Sequence, residues 1–90
     1  MVSDTFTIIN KLGLHMRPAS LFVQAMAKFD SDVIITYQDK SIDGKSILQV
    51  MTACIPCGAE IQLQCSGPDE QAMLRTAGEL IRSGLEDEIV

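Results

Sequence analysis

The residues best suited to chemistry lie at positions 13–19, where the sequence reads GLHMRPA. His15 is the one histidine of the chain, and Arg17 follows it by two positions. Pro18 fits the first turn of a helix, where backbone N–H groups have no helical partner and the helix dipole is positive. An imidazole, a guanidinium and these N–H groups together suit a phosphoryl group bound covalently to His15.

A neutral imidazole is a competent nucleophile near pH 7, and the phosphoramidate that it forms is labile enough to be passed to an acceptor. Arg17 can bind two phosphoryl oxygens at once, and the backbone N–H groups of Met16 and Arg17 can add two more donors. The alternative is that His15 caps a helix or lies on the surface, and the motif alone leaves this open. A metal site is excluded because it needs three or four ligands and there is no second histidine.

Hydrophobic periodicity predicts the elements that must position this motif. We expect strands at 6–9, 33–37, 40–43 and 60–65, and helices at 16–29, at 47–54 and from the turn at 66–69 to about 83. The order β-α-β-β-α-β-α is typical of a split β-α-β arrangement, in which the first and last strands pair antiparallel. We therefore predict an α+β fold, an open-faced β-sandwich with a four-stranded antiparallel sheet of order 1-4-2-3 and three helices on one face.

Length and charge limit the class of protein. A chain of 90 residues that is 47% hydrophobic is expected to form a single domain, 1–90, too small for a large catalytic cavity, which favours a module that works with partners. We expect this module to be a monomer. A net charge of −5 argues against nucleic acid as a partner. The sequence has neither an apolar run of membrane-spanning length nor a signal peptide, so we expect a cytoplasmic protein without membrane insertion.

The three cysteines allow a second class of function. Their odd number and irregular spacing argue against a disulfide framework and fit reduced thiols in a cytoplasm. Cys54 and Cys57 form a C-x-x-C pattern, as in thiol oxidoreductases, but the pattern is predicted at the end of a helix rather than at its start. A redox protein remains an alternative; we expect instead that the cysteines are small apolar residues of the core and the adjoining loop.

A second motif lies at positions 44–51, where the sequence reads GKSILQVM. Ser46 is a good N-cap, and Gln49 three residues later completes the spacing of a capping box. The helix that follows is too short to bury all of its apolar residues, so part of it is expected to remain exposed for contact with partners.

The two motifs resemble the two signatures of the HPr family, the histidine phosphocarriers of the bacterial phosphoenolpyruvate-dependent phosphotransferase system. Their spacing, the chain length and the element order also match, so the resemblance covers nearly the whole chain. It implies an HPr-like fold and a phosphocarrier rather than an enzyme. His15 would accept a phosphoryl group on Nδ1 from phosphorylated Enzyme I and pass it to an Enzyme IIA domain, with Arg17 as the phosphoryl-binding partner and no cofactor.

The resemblance also implies regulation and docking. Ser46 would be phosphorylated by HPr kinase/phosphorylase, which leaves open a regulatory binding module, a corepressor or allosteric partner, as an alternative. The carrier would serve sugar uptake, whereas residues 10–14 and 83–85 look most like family members from Gram-negative bacteria, which include NPr, the nitrogen-branch paralogue. Two departures from the family pattern, Leu12 and Met16, alter the surroundings of His15. The implied docking residues are Met16, Ser20, Gln24, Ile47, Leu48, Gln49 and Met51.

Overall fold

An antiparallel sheet forms the base of the fold in the computed structural model, which describes residues 1–85. The strands of this part of the chain are β1 (Val2–Thr7), β2 (Asp32–Tyr37), β3 (Lys40–Asp43) and β4 (Glu60–Ser66). They hydrogen-bond in the order β1-β4-β2-β3, and every neighbouring pair is antiparallel. This confirms the predicted strand order, in which the last strand lies between the first two.

The buried face of the sheet follows from the alternation of apolar and polar residues along the strands. In β4 the side chains of Ile61, Leu63 and Cys65 are buried, whereas Gln62 between them is exposed. The same alternation buries Val33 and Ile35 in β2. The sheet thus has one apolar face, and it requires a cover of helices.

The described residues form three helices over that face: α1 (Met16–Met26), α2 (Ile47–Thr52) and α3 (Glu70–Arg82). Apolar residues three or four positions apart form the buried stripe of each long helix: Ala19, Phe22 and Met26 in α1, and Met73, Ala77 and Ile81 in α3. Helix α3 packs on β1 and β4, and α1 packs against α2 and α3. None of these helices is long and apolar enough to cross a membrane.

Three predicted boundaries are wrong. Helix α1 ends at Met26 rather than at 29 because the N–H groups of Lys28 and Phe29 bond carbonyls only three residues back. Helix α2 ends at Thr52 rather than at 54 because Cys54 adopts a left-handed conformation, with φ +52°. Strand β1 covers Val2–Thr7 rather than 6–9. Its polar residues are mostly exposed on an edge strand, so they carry no apolar pattern.

The C-terminal end of α3 closes with a Schellman motif. Gly84 has φ +84°, and its N–H donates to the carbonyl oxygen of Ile81 at 3.1 Å. The N–H of Leu85 donates to the carbonyl oxygen of Leu80 at 2.9 Å. Gly84 therefore ends α3 in the left-handed conformation that this motif requires. The motif turns the chain so that the side chain of Leu85 is buried.

Candidate functional site

His15 is the N-cap residue of α1, with the extended backbone angles φ −80° and ψ −168°. Its carbonyl oxygen accepts the first helical hydrogen bond, from the N–H of Ala19 at 3.0 Å. Its imidazole makes no capping hydrogen bond to the helix and is partly exposed. His15 thus occupies the N-cap position, as the alternative expected, but with its backbone and not with its side chain.

The start of α1 can bind an anion. The N–H groups of Met16 and Arg17 come before the first helical hydrogen bond, and Pro18 has no N–H. The first turn carries no acidic residue to oppose the positive end of the helix dipole. The backbone and the dipole thus favour negative charge next to the imidazole of His15.

An open depression of about 510 Å³ lies along α1 beside His15. It is lined by His15, Met16, Arg17, Ser20, Leu21, Gln24 and Leu85. Ser20 and Gln24 are one helical turn apart, and the Gln24 side-chain Nε2 donates to the Ser20 hydroxyl at 3.1 Å. The structure thus brings His15 and Arg17 onto one surface, together with three of the predicted docking residues.

The loop before His15 is fixed against the end of α2. Gly13 has φ +70°, and its N–H donates to the carbonyl of Asn10 at 2.9 Å. The N–H of Leu14 donates to the carbonyl of Ile55 at 2.9 Å. A Cβ at position 13 would overlap that carbonyl oxygen and lie 2.8 Å from the Cα of Pro56. Glycine is therefore required here by both backbone angle and space.

A second depression, of about 410 Å³, is also lined by His15. It is lined by Leu12, Leu14, His15, Met16, Met51, Cys54, Ile55 and Pro56. Leu12 and Met16 are 70% and 66% exposed, an unusual exposure for large apolar side chains. His15 thus lines both the depression that contains Arg17 and a more apolar one that contains Met51.

Ser46 caps α2 as predicted, since its Oγ accepts a hydrogen bond from the N–H of Gln49 at 3.2 Å. The reciprocal hydrogen bond of a capping box, from the N–H of Ser46 to the side chain of Gln49, is not formed. The side-chain oxygen of Gln49 accepts from the N–H of Asp43 at 2.8 Å, while the N–H of Ser46 donates to the carbonyl of Asp43. The side-chain amide oxygen of Gln49 is thus already hydrogen-bonded to the backbone of Asp43 in the isolated protein.

Helix α2 presents apolar side chains to solvent. Ile47 is 40% and Leu48 74% exposed, whereas Val50 is fully buried and Met51 partly buried. Leu48 and Gln49 also line a groove of about 570 Å³ between α2 and β3. Of the docking residues predicted on α2, Met51 therefore shares a depression with His15 and Met16, whereas Leu48 and Gln49 line the groove beside β3.

The three cysteines differ in their environments, and they form no disulfide within residues 1–85. Cys65 is buried, and burial first, with Glu70 second, raises the pKa of its thiol. Of the expected placement in the core and the adjoining loop, Cys65 lies in the core, whereas Cys54 and Cys57 are exposed in the loop that follows α2. The C-x-x-C follows α2 rather than beginning a helix, unlike a thioredoxin-type site. The described residues contain no group of three or more His, Cys, Asp or Glu side chains placed to bind a metal.

Comparisons with known proteins agree with this geometry. The family described as "PTS HPr component phosphorylation site" matches residues 2–83. The chain belongs to the HPr family. The phosphocarrier protein HPr of Treponema pallidum is 39% identical over 88 residues, which cover 98% of this chain and all of that protein. HPr of Neisseria meningitidis is 38% identical over 81 residues, covering 90% of this chain and 91% of that protein.

Solved structures of HPr proteins also superimpose well. HPr from Thermoanaerobacter tengcongensis has a TM-score of 0.94 at 36% identity and covers 99% of this chain and 100% of that chain. Crh, the catabolite repression protein of Bacillus subtilis, has a TM-score of 0.75 at 34% identity, covering 93% and 97% of the two chains. Like its HPr relatives, this chain is a phosphocarrier of the phosphotransferase system and not an enzyme.

Sequence reasoning missed several residues of this surface. Leu85 lines the depression that contains Arg17, and Cys54 and Pro56 line the apolar depression. No local pattern marks these residues, because they reach His15 only through tertiary packing.

Proposed function

We propose that His15 is the phosphoryl acceptor of this carrier. Its imidazole Nδ1 attacks the phosphorus of phosphorylated Enzyme I, so that a new N–P bond forms as the bond to Enzyme I breaks. The reverse kind of step passes the group to an Enzyme IIA domain. The observation that carries the proposal is the position of His15, a partly exposed N-cap residue on the same depression as Arg17.

The phosphoryl charge would be stabilised by groups already next to His15. The guanidinium of Arg17 can donate two parallel hydrogen bonds to phosphoryl oxygens. The N–H groups of Met16 and Arg17 can add two donors from the first turn of α1. Fixed donors of this kind stabilise charge on the group in transit without having to reorganise.

The partners would dock on the surface formed by α1 and α2 around His15. The residues assigned to docking are Met16, Ser20, Gln24, Ile47, Leu48, Gln49 and Met51. Met16 and Leu48 provide most of the exposed apolar area, and exposed patches of this kind are typical of protein interfaces. One surface would serve both donor and acceptor, so the two partners would bind in turn.

Ser46 supports a second, regulatory role. Its hydroxyl lies at the N-terminus of α2, beside the exposed side chains of Ile47 and Leu48. A phosphate placed there by HPr kinase/phosphorylase would add about two negative charges within the docking surface and hinder acidic partners. Incubation with ATP and such a kinase should give an acid-stable phosphate that is lost in Ser46→Ala; its absence would remove this role.

We also propose that residues 1–90 form a single domain, and that the protein is a cytoplasmic monomer that serves sugar uptake rather than the nitrogen branch. The pairing of β1 with β4 and the shared core of residues 1–85 support one self-contained fold. One solved relative is a domain-swapped Crh dimer, and another is an HPr dimer. Light scattering at several concentrations tests the monomer; a dimer mass throughout would contradict it.

The phosphoryl acceptor is tested with phosphoenolpyruvate and Enzyme I. We expect one phosphate per chain that is labile in acid and stable in base, and we expect none on His15→Ala. A wild-type protein that acquires no phosphate, or a variant that acquires as much, would contradict the proposal.

A further inference from the structure

The loop that leads to His15 is fastened by a buried polar side chain. Asn10 is 0% exposed, and its Nδ2 donates to the carbonyl of Gly84 at 2.6 Å, across 74 positions of sequence. Its main-chain carbonyl accepts a hydrogen bond from the N–H of Gly13 at 2.9 Å, and this bond closes the turn before His15. One residue thus joins the loop of His15 to the C-terminal end of α3.

The two segments joined by Asn10 form two sides of one depression. Leu85, directly after Gly84, lines the depression together with His15 and Arg17. The carbonyl of Gly84 belongs to the Schellman turn that buries Leu85. The Asn10 hydrogen bond therefore fixes the distance between the loop that carries His15 and the end of α3.

The second polar atom of Asn10 indicates that this link has a use beyond stability. Its Oδ1 is buried and accepts no hydrogen bond from the described residues. The orientation of the amide is fixed, because the carbonyl of Gly84 can bond only the donor, Nδ2. A buried acceptor without a partner opposes folding, so an apolar side chain would avoid a cost that Asn10 imposes.

We propose that Asn10 is a positioning residue for phosphoryl transfer. By joining the turn at Gly13 to Gly84, it holds His15 and Arg17 in a fixed position relative to Leu85, which lines the same depression. The inference rests on the proposed role of His15 as acceptor. Because transfer rates depend on geometry at the scale of one ångström, the loss of this link slows transfer without removing the acceptor.

The test compares Asn10→Ala with Ser31→Ala in phosphorylation by Enzyme I. Ser31 is the matched control because it is also a buried polar residue (1% exposed), but it bonds Asp69 at the opposite end of α3. We expect Asn10→Ala to lower kcat about tenfold with KM changed less than about twofold, and Ser31→Ala to change kcat less than about twofold. The imidazole resonances of His15 should move in Asn10→Ala and not in Ser31→Ala.

The outcomes separate this inference from the proposed function. A wild-type rate in Asn10→Ala, or an equal loss in both variants, would overturn the positioning role while His15 remained the acceptor. A wild-type protein that acquires no phosphate would instead overturn the proposed function. If Asn10→Ala does not fold, NMR of the wild-type protein decides: the Nδ2 resonance of Asn10 should shift when His15 is phosphorylated, whereas the side-chain amide of Gln62, on the opposite face of the sheet, should not. An unchanged Asn10 resonance would overturn the inference.

Discussion

The backbone N–H of Leu14 donates to the carbonyl oxygen of Ile55 over 2.9 Å, so the residue before His15 is held by the segment that follows α2. This bond holds the first sequence motif of the HPr family against the segment that follows the second. The GLHMRPA motif begins α1, the GKSILQVM motif contains α2, and the Leu14–Ile55 contact sets where His15 lies relative to the exposed residues of α2.

The closeness of this contact predicts the effect of Gly13→Ala. The added Cβ would overlap the Ile55 carbonyl oxygen, and alanine would be strained at φ +70°. We expect a loss of about 2–3 kcal/mol in the free energy of unfolding, measured with a chemical denaturant. Gly58→Ala is the control for backbone strain alone, because Gly58 has φ +86° with open space around it; a loss of about 1 kcal/mol is expected. Equal losses of unfolding free energy in Gly13→Ala and Gly58→Ala would contradict the prediction, because the overlap with Ile55 would then add no cost.

Arg17 should affect transfer far more than stability. Arg17→Ala removes a charged donor from an exposed position, so we expect phosphorylation by Enzyme I to slow about a hundredfold, with the free energy of unfolding within about 0.5 kcal/mol of wild type. Arg17→Lys, which keeps the charge without the paired donors, should lose less. Arg75→Ala makes the same change in net charge on α3 and should leave the rate unchanged. If phosphorylation of Arg75→Ala is also slow, overall charge rather than the position of Arg17 would explain the effect.

Ser46 should contribute a measurable cap to α2. Ser46→Ala removes the oxygen that accepts from the N–H of Gln49, and we expect a loss of about 1 kcal/mol in unfolding free energy. Ser46→Asp retains a capping oxygen and should stay within a few tenths of a kcal/mol of wild type, because aspartate caps as well as serine. Thermal or denaturant unfolding measures both; the capping role fails if Ser46→Ala is as stable as wild type.

Leu48 should contribute to docking and not to folding. Its side chain is 74% exposed, so Leu48→Ala removes little buried area and should leave the unfolding free energy unchanged. We expect the KM for Enzyme I to rise about tenfold, as for a central interface residue. Gln62→Ala, exposed on the opposite face of the sheet, is the control and should not alter KM. An unchanged KM in Leu48→Ala would place the docking surface elsewhere.

Asp69 should make stability depend on pH. The hydroxyl of Ser31 first, and then the backbone N–H of Asp30, hold the pKa of the Asp69 carboxyl below its ordinary value. A carboxyl whose pKa is lowered by folding stabilises the protein above its unfolded pKa, and this contribution is lost as pH falls through the folded pKa. The stability difference between wild type and Asp69→Asn should therefore shrink as pH is lowered below about 4.

Ser31→Ala serves as the companion variant for Asp69. It removes the hydroxyl that lowers the Asp69 pKa most, so its stability should depend less steeply on pH than that of wild type. Unfolding with urea at a series of pH values measures all three proteins. A wild-type curve parallel to that of Asp69→Asn at every pH would contradict this account.

The strand order and the helices were predictable because their residues carry strong patterns. The alternation of Ile61, Leu63 and Cys65 marks a half-buried strand, and the spacing of Ala19, Phe22 and Met26 marks a helix face. Boundaries were less predictable. The left-handed Cys54 that ends α2 is a residue type that rarely takes this conformation, so the sequence contains no stop signal there.

The site was predictable where one segment contains it, and not where packing assembles it. His15, Arg17 and the cap at Ser46 lie in contiguous motifs, although the phosphoryl roles of His15 and Arg17 stay predictions. Two hydrogen bonds depend instead on which segments meet in the folded chain. They run from the N–H of Asp43 to the side chain of Gln49, and from the side chain of Asn10 to the carbonyl of Gly84. Short-range patterns contain no information about such contacts.

The most direct test of the central claim follows one phosphoryl group through both transfers. The protein is phosphorylated with radiolabelled phosphoenolpyruvate and Enzyme I, freed of both, and mixed with an unphosphorylated Enzyme IIA domain. We expect one label per chain, mapped to His15, and its transfer to the IIA domain with return of the chain to its unmodified mass. A label that maps to another residue, or that is released as inorganic phosphate without reaching the IIA domain, would contradict the account.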